Sequence, residues 1–160
     1  MNLMTSKESY AAYEAVLNEK NPIDIEAKER WSNASAEEKK DIVKRQNDWA
    51  HEHNKRVQEA RKNLIPEVGT KCTIIYYSDR RAATVTKVIS NTKIEVMHNK
   101  VKCLDYYGGK YEISPDLEPG FGVDVFTKRR NGLWVEEGQK SKDGVLLSLT
   151  HQSHYIDPHF

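Results

Sequence analysis

Up to Leu64 the apolar residues recur three and four apart, and from Pro66 to Phe160 they alternate with polar ones, so the chain passes from a helical to an extended period near Pro66. Thr5 and Glu8 have the spacing of a capping box, which predicts a helix start with Tyr10, Tyr13, Val16 and Leu17 on one face. Asn21-Pro22 stops that helix and opens a short second one, with Asn as cap and Pro at the first helical position. Its stripe is Ile23, Ala27 and Trp31, and Asp24 and Glu26 lie near the positive end of its dipole. Ser35 and Glu38 repeat the capping spacing, and Ile42, Trp49, His53, Val57, Ala60 and Leu64 hold their phase for about seven turns of a third, longest helix. Trp31 and Trp49 are read as the core of this three-helix unit.

After Pro66, the runs EVGTKCTIIYYSD, RAATVTKVI and TKIEVMHN predict a twisted antiparallel meander that closes into a small barrel. FGVDVFTKR and LWVEE flank Asn131-Gly132, a hairpin signal because both residues tolerate positive φ. Trp134 is expected inside the barrel, and VLLSL supplies a last strand. YYGGKYEISPDLEPG, rich in Gly, Pro and Tyr, is expected to be a long excursion without regular structure. The expected fold is α+β, with a helical domain over residues 1–64 and an antiparallel barrel over residues 65–160.

Charge changes the picture by what it excludes. Up to Leu64 there are 12 basic and 12 acidic residues, and from Ile65 onward 13 and 12, so neither half carries a bulk field for polyanions and any nucleic-acid contact must come from a local patch. The sequence shows no apolar run suited to a membrane span and no secretory leader, which gives a cytoplasmic expectation. Cys72 and Cys103, 31 positions apart without a CxxC partner, are read as reduced, partly buried thiols.

ERWSNASAEEKKDIVKRQNDWAHEHNKRVQEARK, with Trp31, Ser35, Glu37, Glu38 and Lys39 at matched positions and Ile42 and His53 where aromatic residues are usual, resembles the later part of an HMG box. YAAYEAVLNEKNP stands for its first helix. The resemblance implies a three-helix unit used either on DNA or as a protein-interaction module. From Pro66 on, the pieces YYSDR, ATVTKV, TKIEVM and TKRRNGLW are similar to small bacteriophage-encoded proteins, which implies an SH3-like barrel and a phage source.

Three groups of residues are candidates for binding nucleic acid or a partner. Tyr76, Tyr77, Ser78, Asp79, Arg80 and Arg81 combine aromatic faces with guanidinium groups at the first hairpin, suited to stacking bases and meeting phosphates; strand packing beside a charged turn is the alternative. Lys128, Arg129 and Arg130 at the Asn131-Gly132 turn make either a phosphate grip or ordinary edge charges. Lys39, Lys40, Lys44 and Arg45 lie on the long helix. His151, His154, Asp157 and His159 are read as part of a docked tail anchored by Tyr155, Ile156 and Phe160 rather than as zinc ligands, and His51 and His53 point to different faces. No nucleophile elbow, phosphate loop, zinc-protease helix or paired carboxylates stand in the expected context, so neither catalysis, cofactor nor metal is expected. These features suggest a small phage-encoded, non-enzymatic binding protein that contacts nucleic acid or a nucleic-acid-bound host complex in the host cytoplasm. The alternatives are an anti-defence or host-takeover inhibitor that binds a bacterial protein directly, and a virion structural or assembly component. The oligomeric state is left open.

Overall fold

The capping signals form as bonds in the computed structural model, which describes residues 4–159. Thr5 Oγ1 accepts from the Glu8 N–H at 3.2 Å and the Glu8 carboxylate accepts from the Thr5 N–H at 2.8 Å, opening α1 (Ser6–Leu17). Asn21 Oδ1 accepts from the Ile23 N–H at the start of α2 (Pro22–Arg30), and Ser35 Oγ accepts from Glu38 at the start of α3 (Ala36–Lys62). Each cap satisfies a donor that the helix start leaves unpaired, worth about 1 kcal/mol.

The chain divides between Leu64 and Ile65 into two compact units. In the first, α1 packs on α3. Ser9 and Tyr13 are the buried residues of α1 and Ile42 and Val57 those of α3, and His53 Nε2 lies 2.6 Å from the Val16 carbonyl oxygen. The expected three-helix core is corrected, because α2 has no buried side chain and the core rests on two helices. Ile23 and Ala27 are only half-buried and Ile25 is exposed, since nine residues with charges on most faces make an apolar stripe too narrow to bury. Polar bonds hold α2 instead: Gln46 Nε2 donates to Asp24 Oδ1 (2.8 Å), and Asn21 Nδ2 donates to the Gln46 carbonyl (3.3 Å). Trp31, in a short 3-10 turn after α2, is 42% exposed rather than core, and Leu17 is exposed too.

The second unit contains β1 (Lys71–Ile75), β2 (Arg80–Ser90), β3 (Lys93–Asp105), β4 (Lys110–Leu117), β5 (Val123–Lys128), β6 (Trp134–Glu136) and β7 (Leu146–Ser148), paired antiparallel throughout. Pairing runs β2–β1–β7–β6–β5–β3 and returns from β3 to β2, which closes a six-stranded barrel; β4 pairs with β3 outside the ring. The registers Cys72↔Ala83, Ala83↔His98 and Ile94↔Phe126 fix the inward face, because side chains two apart on a strand share a face. Ile74, Val85, Ile94, Val96 and Phe126 fill the interior, with Trp134 buried beside them. Burial pushes the Cys72 thiol up to about 12, whereas Cys103 is exposed, not partly buried as expected.

β3 is long because only its first half belongs to the barrel wall. Beyond Asn99 it leaves the wall and pairs with β4 as an arm, so the excursion expected to lack regular structure contains a strand. Tyr111 and Ile113 are half-buried and alternate with exposed Lys110 and Glu112, a period masked in the sequence by neighbouring Gly and Pro. Gly109, at φ 67, makes the turn, and Pro115 falls in a register shift of a strand with one neighbour, where its missing N–H breaks no ladder bond. The β5–β6 turn also differs from expectation. Gly132 takes φ 83, but no non-glycine among the described residues has positive φ, so Asn131 does not. The Gly132 N–H donates to the Arg129 carbonyl (2.9 Å) and the Arg129 N–H to the Leu133 carbonyl (2.8 Å), a turn followed by a glycine bulge.

The tail lies on the outside of the barrel. Thr73 Oγ1 donates to the His151 carbonyl and accepts from the Ser153 N–H, and Tyr155 and Arg80 exchange both backbone bonds. Gln152 Nε2 donates to the Ala83 carbonyl (2.7 Å) and to Asn99 Oδ1 (3.1 Å), and the His154 ring meets Tyr111 edge-on at 4.9 Å. The tail thus braces the arm against the wall through polar contacts as much as through Tyr155 and Ile156; the expected anchor Phe160 lies outside the described residues. Among the described residues, no group of three or more His, Cys, Asp or Glu is placed to hold a metal ion.

This brace is expected to be acid-sensitive. His154 Nδ1 accepts from the Ala82 N–H (3.3 Å), and burial, with Arg81 and His98 adding to it and Asp79 opposing, holds its pKa below the ordinary value. The detached tail therefore binds the proton more readily, so docking is complete above the free histidine value of about 6.5 and weakens as pH falls through it. After correction for intrinsic exchange, the Tyr155 amide is expected to exchange faster on acidification while the Val96 amide does not; equal behaviour of the two would refute the expectation.

Candidate nucleic-acid interface

On the helical unit, Trp31 is held at the solvent by the turn that ends α2, and α3 passes beside it with Lys39, Lys40, Val43 and Lys44. Together with Asn47 and Asp48 these residues line an open groove of about 560 Å³. The Lys39 ammonium sits 5.2 Å from the centroid of the Trp31 ring, within cation–π range. Among the described residues, neither Lys40 nor Lys44 is tied to a carboxylate. Positions 40, 44 and 47 follow one helical face, so two ammonium groups run alongside an exposed indole and the apolar Val43.

Arg45 does not join them. Its Nη1 and Nη2 form a fork on Glu26 (2.6 and 2.9 Å) and its Nε donates to Asp41 (2.9 Å). The bond from Arg45 holds the Glu26 carboxyl below its usual range against the opposing desolvation, and the Arg45 pKa is raised in turn, first by Glu26 and then by Asp41. Arg45 therefore ties α2 to α3 and offers little charge to a ligand.

The first-hairpin residues separate. Tyr77 is 92% exposed, and Arg80 turns its guanidinium back to the carbonyls of Tyr76 and Asp79. Tyr76, Asp79 and Arg81 face a pocket of about 390 Å³ at one mouth of the barrel, with His98, Phe121 and Asp124. At the β5–β6 turn the cations do not converge: Arg129 folds along its own hairpin, with Nε on Thr127 Oγ1 (2.9 Å) and Nη2 on the Glu136 carbonyl (3.3 Å). Lys128 is half-buried and Arg130 exposed.

Sequence reasoning missed Trp31 and Val43 as surface residues, and His98, Phe121 and Asp124 as pocket residues. A signal for the last group exists: His98 shares the parity of Ile94 and Val96, and Asp124 that of Phe126, which places two polar side chains on an inward face. No helix among the described residues is long and apolar enough to cross a membrane. The chain matches no protein-family model, no curated protein and no solved structure in the comparisons.

Proposed function

We propose that the chain is a non-enzymatic binding protein that contacts nucleic acid through the Trp31–Lys39–Lys40–Lys44 face. The observation that carries this reading is an exposed indole under one ammonium and beside two others, an arrangement suited to stacking an unpaired base while phosphates are neutralised. Binding of this kind is independent of base sequence and sensitive to salt, because each lysine that meets a phosphate releases counterions. The HMG-box likeness adds less support, since α2 is short and contributes no core. The six-stranded barrel is read as SH3-like and the phage origin is kept, both on the sequence resemblance.

Anisotropy titrations of labelled single- and double-stranded DNA against salt test the reading. Lys40→Ala with Lys44→Ala is expected to flatten the slope of log affinity on log salt by about 1.4 on single strands, at about 0.7 per lost contact, whereas Arg129→Ala leaves it unchanged. Absence of binding at low salt rejects the proposal.

A second reading, direct inhibition of a bacterial protein, is favoured by the tip of the β3–β4 arm, where Leu104, Tyr106 and Tyr107 are all exposed, Tyr107 by 78%. Aromatic residues of this kind anchor protein interfaces. This reading expects one stoichiometric host partner to be retained after nuclease treatment and lost on Tyr107→Ala; a partner that disappears with the nuclease rejects it.

A further inference from the structure

The mouth of the barrel is unusual in being polar where the rest of the interior is apolar. On the inward face, Ile94 and Val96 lead to His98 along β3, Phe126 leads back to Asp124 along β5, and the β1–β2 hairpin brings in Tyr76, Asp79 and Arg81. His98 Nε2 lies 3.1 Å from Asp124 Oδ2, and since an ionised carboxylate only accepts, that oxygen fixes Nε2 as a donor. The His98 ring stacks on Phe121 at 4.8 Å and 25°, while Phe121 is 60% exposed and keeps ring surface toward solvent. Arg81 is held only loosely, its Nη2 3.6 Å from Asp79 Oδ2, and Asp79 Oδ1 accepts from the Asp157 N–H. Among the described residues, Asp124 Oδ1 accepts no hydrogen bond.

We propose that this mouth is a recognition pocket for a guanine base. Two carboxylates against one arginine leave no excess of positive charge, so a phosphate is not the anchoring group. The ligand must instead be neutral and planar, with adjacent N–H donors for a carboxylate and adjacent acceptors for a guanidinium, and with a face for an aromatic ring. Guanine meets all three conditions. Its N1–H and N2–H₂ suit a carboxylate, O6 and N7 suit the fork of Arg81, and its face suits the open side of Phe121. Adenine would set its N1 lone pair against the carboxylate, and the pyrimidines lack the adjoining pair of acceptors on a second edge. Burial, reinforced by Asp124 and Glu136, raises the Tyr76 pKa, which keeps its hydroxyl a donor at the rim.

The base can arrive as a free nucleotide or exposed on a single strand, and calorimetry separates the two. Full-length protein is titrated with GMP, AMP, CMP and UMP and with tetranucleotides that carry one guanine or none. The proposal expects saturable GMP binding with roughly tenfold or greater preference over AMP, as one bidentate base contact supplies. In the Trp31→Ala protein, a guanine tetranucleotide that binds tighter than both GMP and the guanine-free tetranucleotide assigns the pocket to a strand, and affinity equal to that of GMP assigns it to the free nucleotide. Asp124→Asn is expected to remove the preference for GMP, and Trp31→Ala to leave GMP binding intact, so failure of the helical interface and failure of this pocket are distinguishable. Equal affinity for GMP and AMP, or no binding of GMP at millimolar concentration together with equal affinity for the tetranucleotides with and without guanine, overturns the proposal without recourse to any variant.

Discussion

Replacing Trp31 by Ala is expected to weaken single-stranded DNA binding roughly five- to 150-fold, the range that loss of one base–aromatic stack of about 1–3 kcal/mol allows. The substitution suits the test because the indole is 42% exposed in a turn whose flanking helix has no buried side chain, so stability should change little. Trp31→Phe should recover part of the affinity, since a smaller ring still stacks. Salt distinguishes the indole from its neighbours: Trp31→Ala should lower affinity at every salt concentration by a similar factor, whereas removing Lys40 and Lys44 changes the slope. Anisotropy at three salt concentrations resolves both effects. A Trp31→Ala protein that binds like the parent would reject stacking as the source of affinity.

The largest expected effect on stability is at Phe126. This residue is fully buried at the centre of the barrel on β5, flanked by partners on β3 and β6. Phe126→Ala removes the transfer energy of the ring and leaves a cavity between paired strands that cannot collapse independently, a cost of about 3–5 kcal/mol. For a domain stabilised by about 5–15 kcal/mol this is a large fraction, and it should appear in urea titration as a lower midpoint with an unchanged slope. Val43→Ala, at the exposed groove of α3, serves as the contrast and is expected to shift stability by no more than about 0.5 kcal/mol. Equal midpoints for the two variants would contradict the packing described for the barrel.

How far the sequence could be read depended on whether a signal was local. Caps at Thr5, Asn21 and Ser35 depend on residues within three positions of each other, and all three form. Strand parity is also local, and it places Phe126 and Trp134 inside. What escaped depends on partners far along the chain. Trp31 looks like core because most tryptophans are, and only the failure of α2 to bury its stripe puts the indole at the surface. Arg45 looks like a free cation until Glu26, 19 residues earlier, is seen to take it. The pocket was half legible: Tyr76, Asp79 and Arg81 stood among the candidates, but His98 and Asp124 meet them only once β3 lies between β2 and β5. Strand β4 was hidden by composition, since Gly and Pro on both sides outweighed four alternating residues.

Ring closure of the barrel has a consequence for how the protein tolerates its own company. Six strands close on each other in a ring, and the unpaired backbone that invites fibril-like stacking is left at the end of β2 beyond Val85 and on the β3–β4 arm. There Lys100, Lys102, Lys110, Glu112 and Asp116 set charge along the ribbon, and Pro115 removes an N–H from the rim. A second molecule approaching the arm edge-on therefore meets charged side chains that pairing would strip of water and an interrupted donor row, which favours chains that remain dispersed when crowded together.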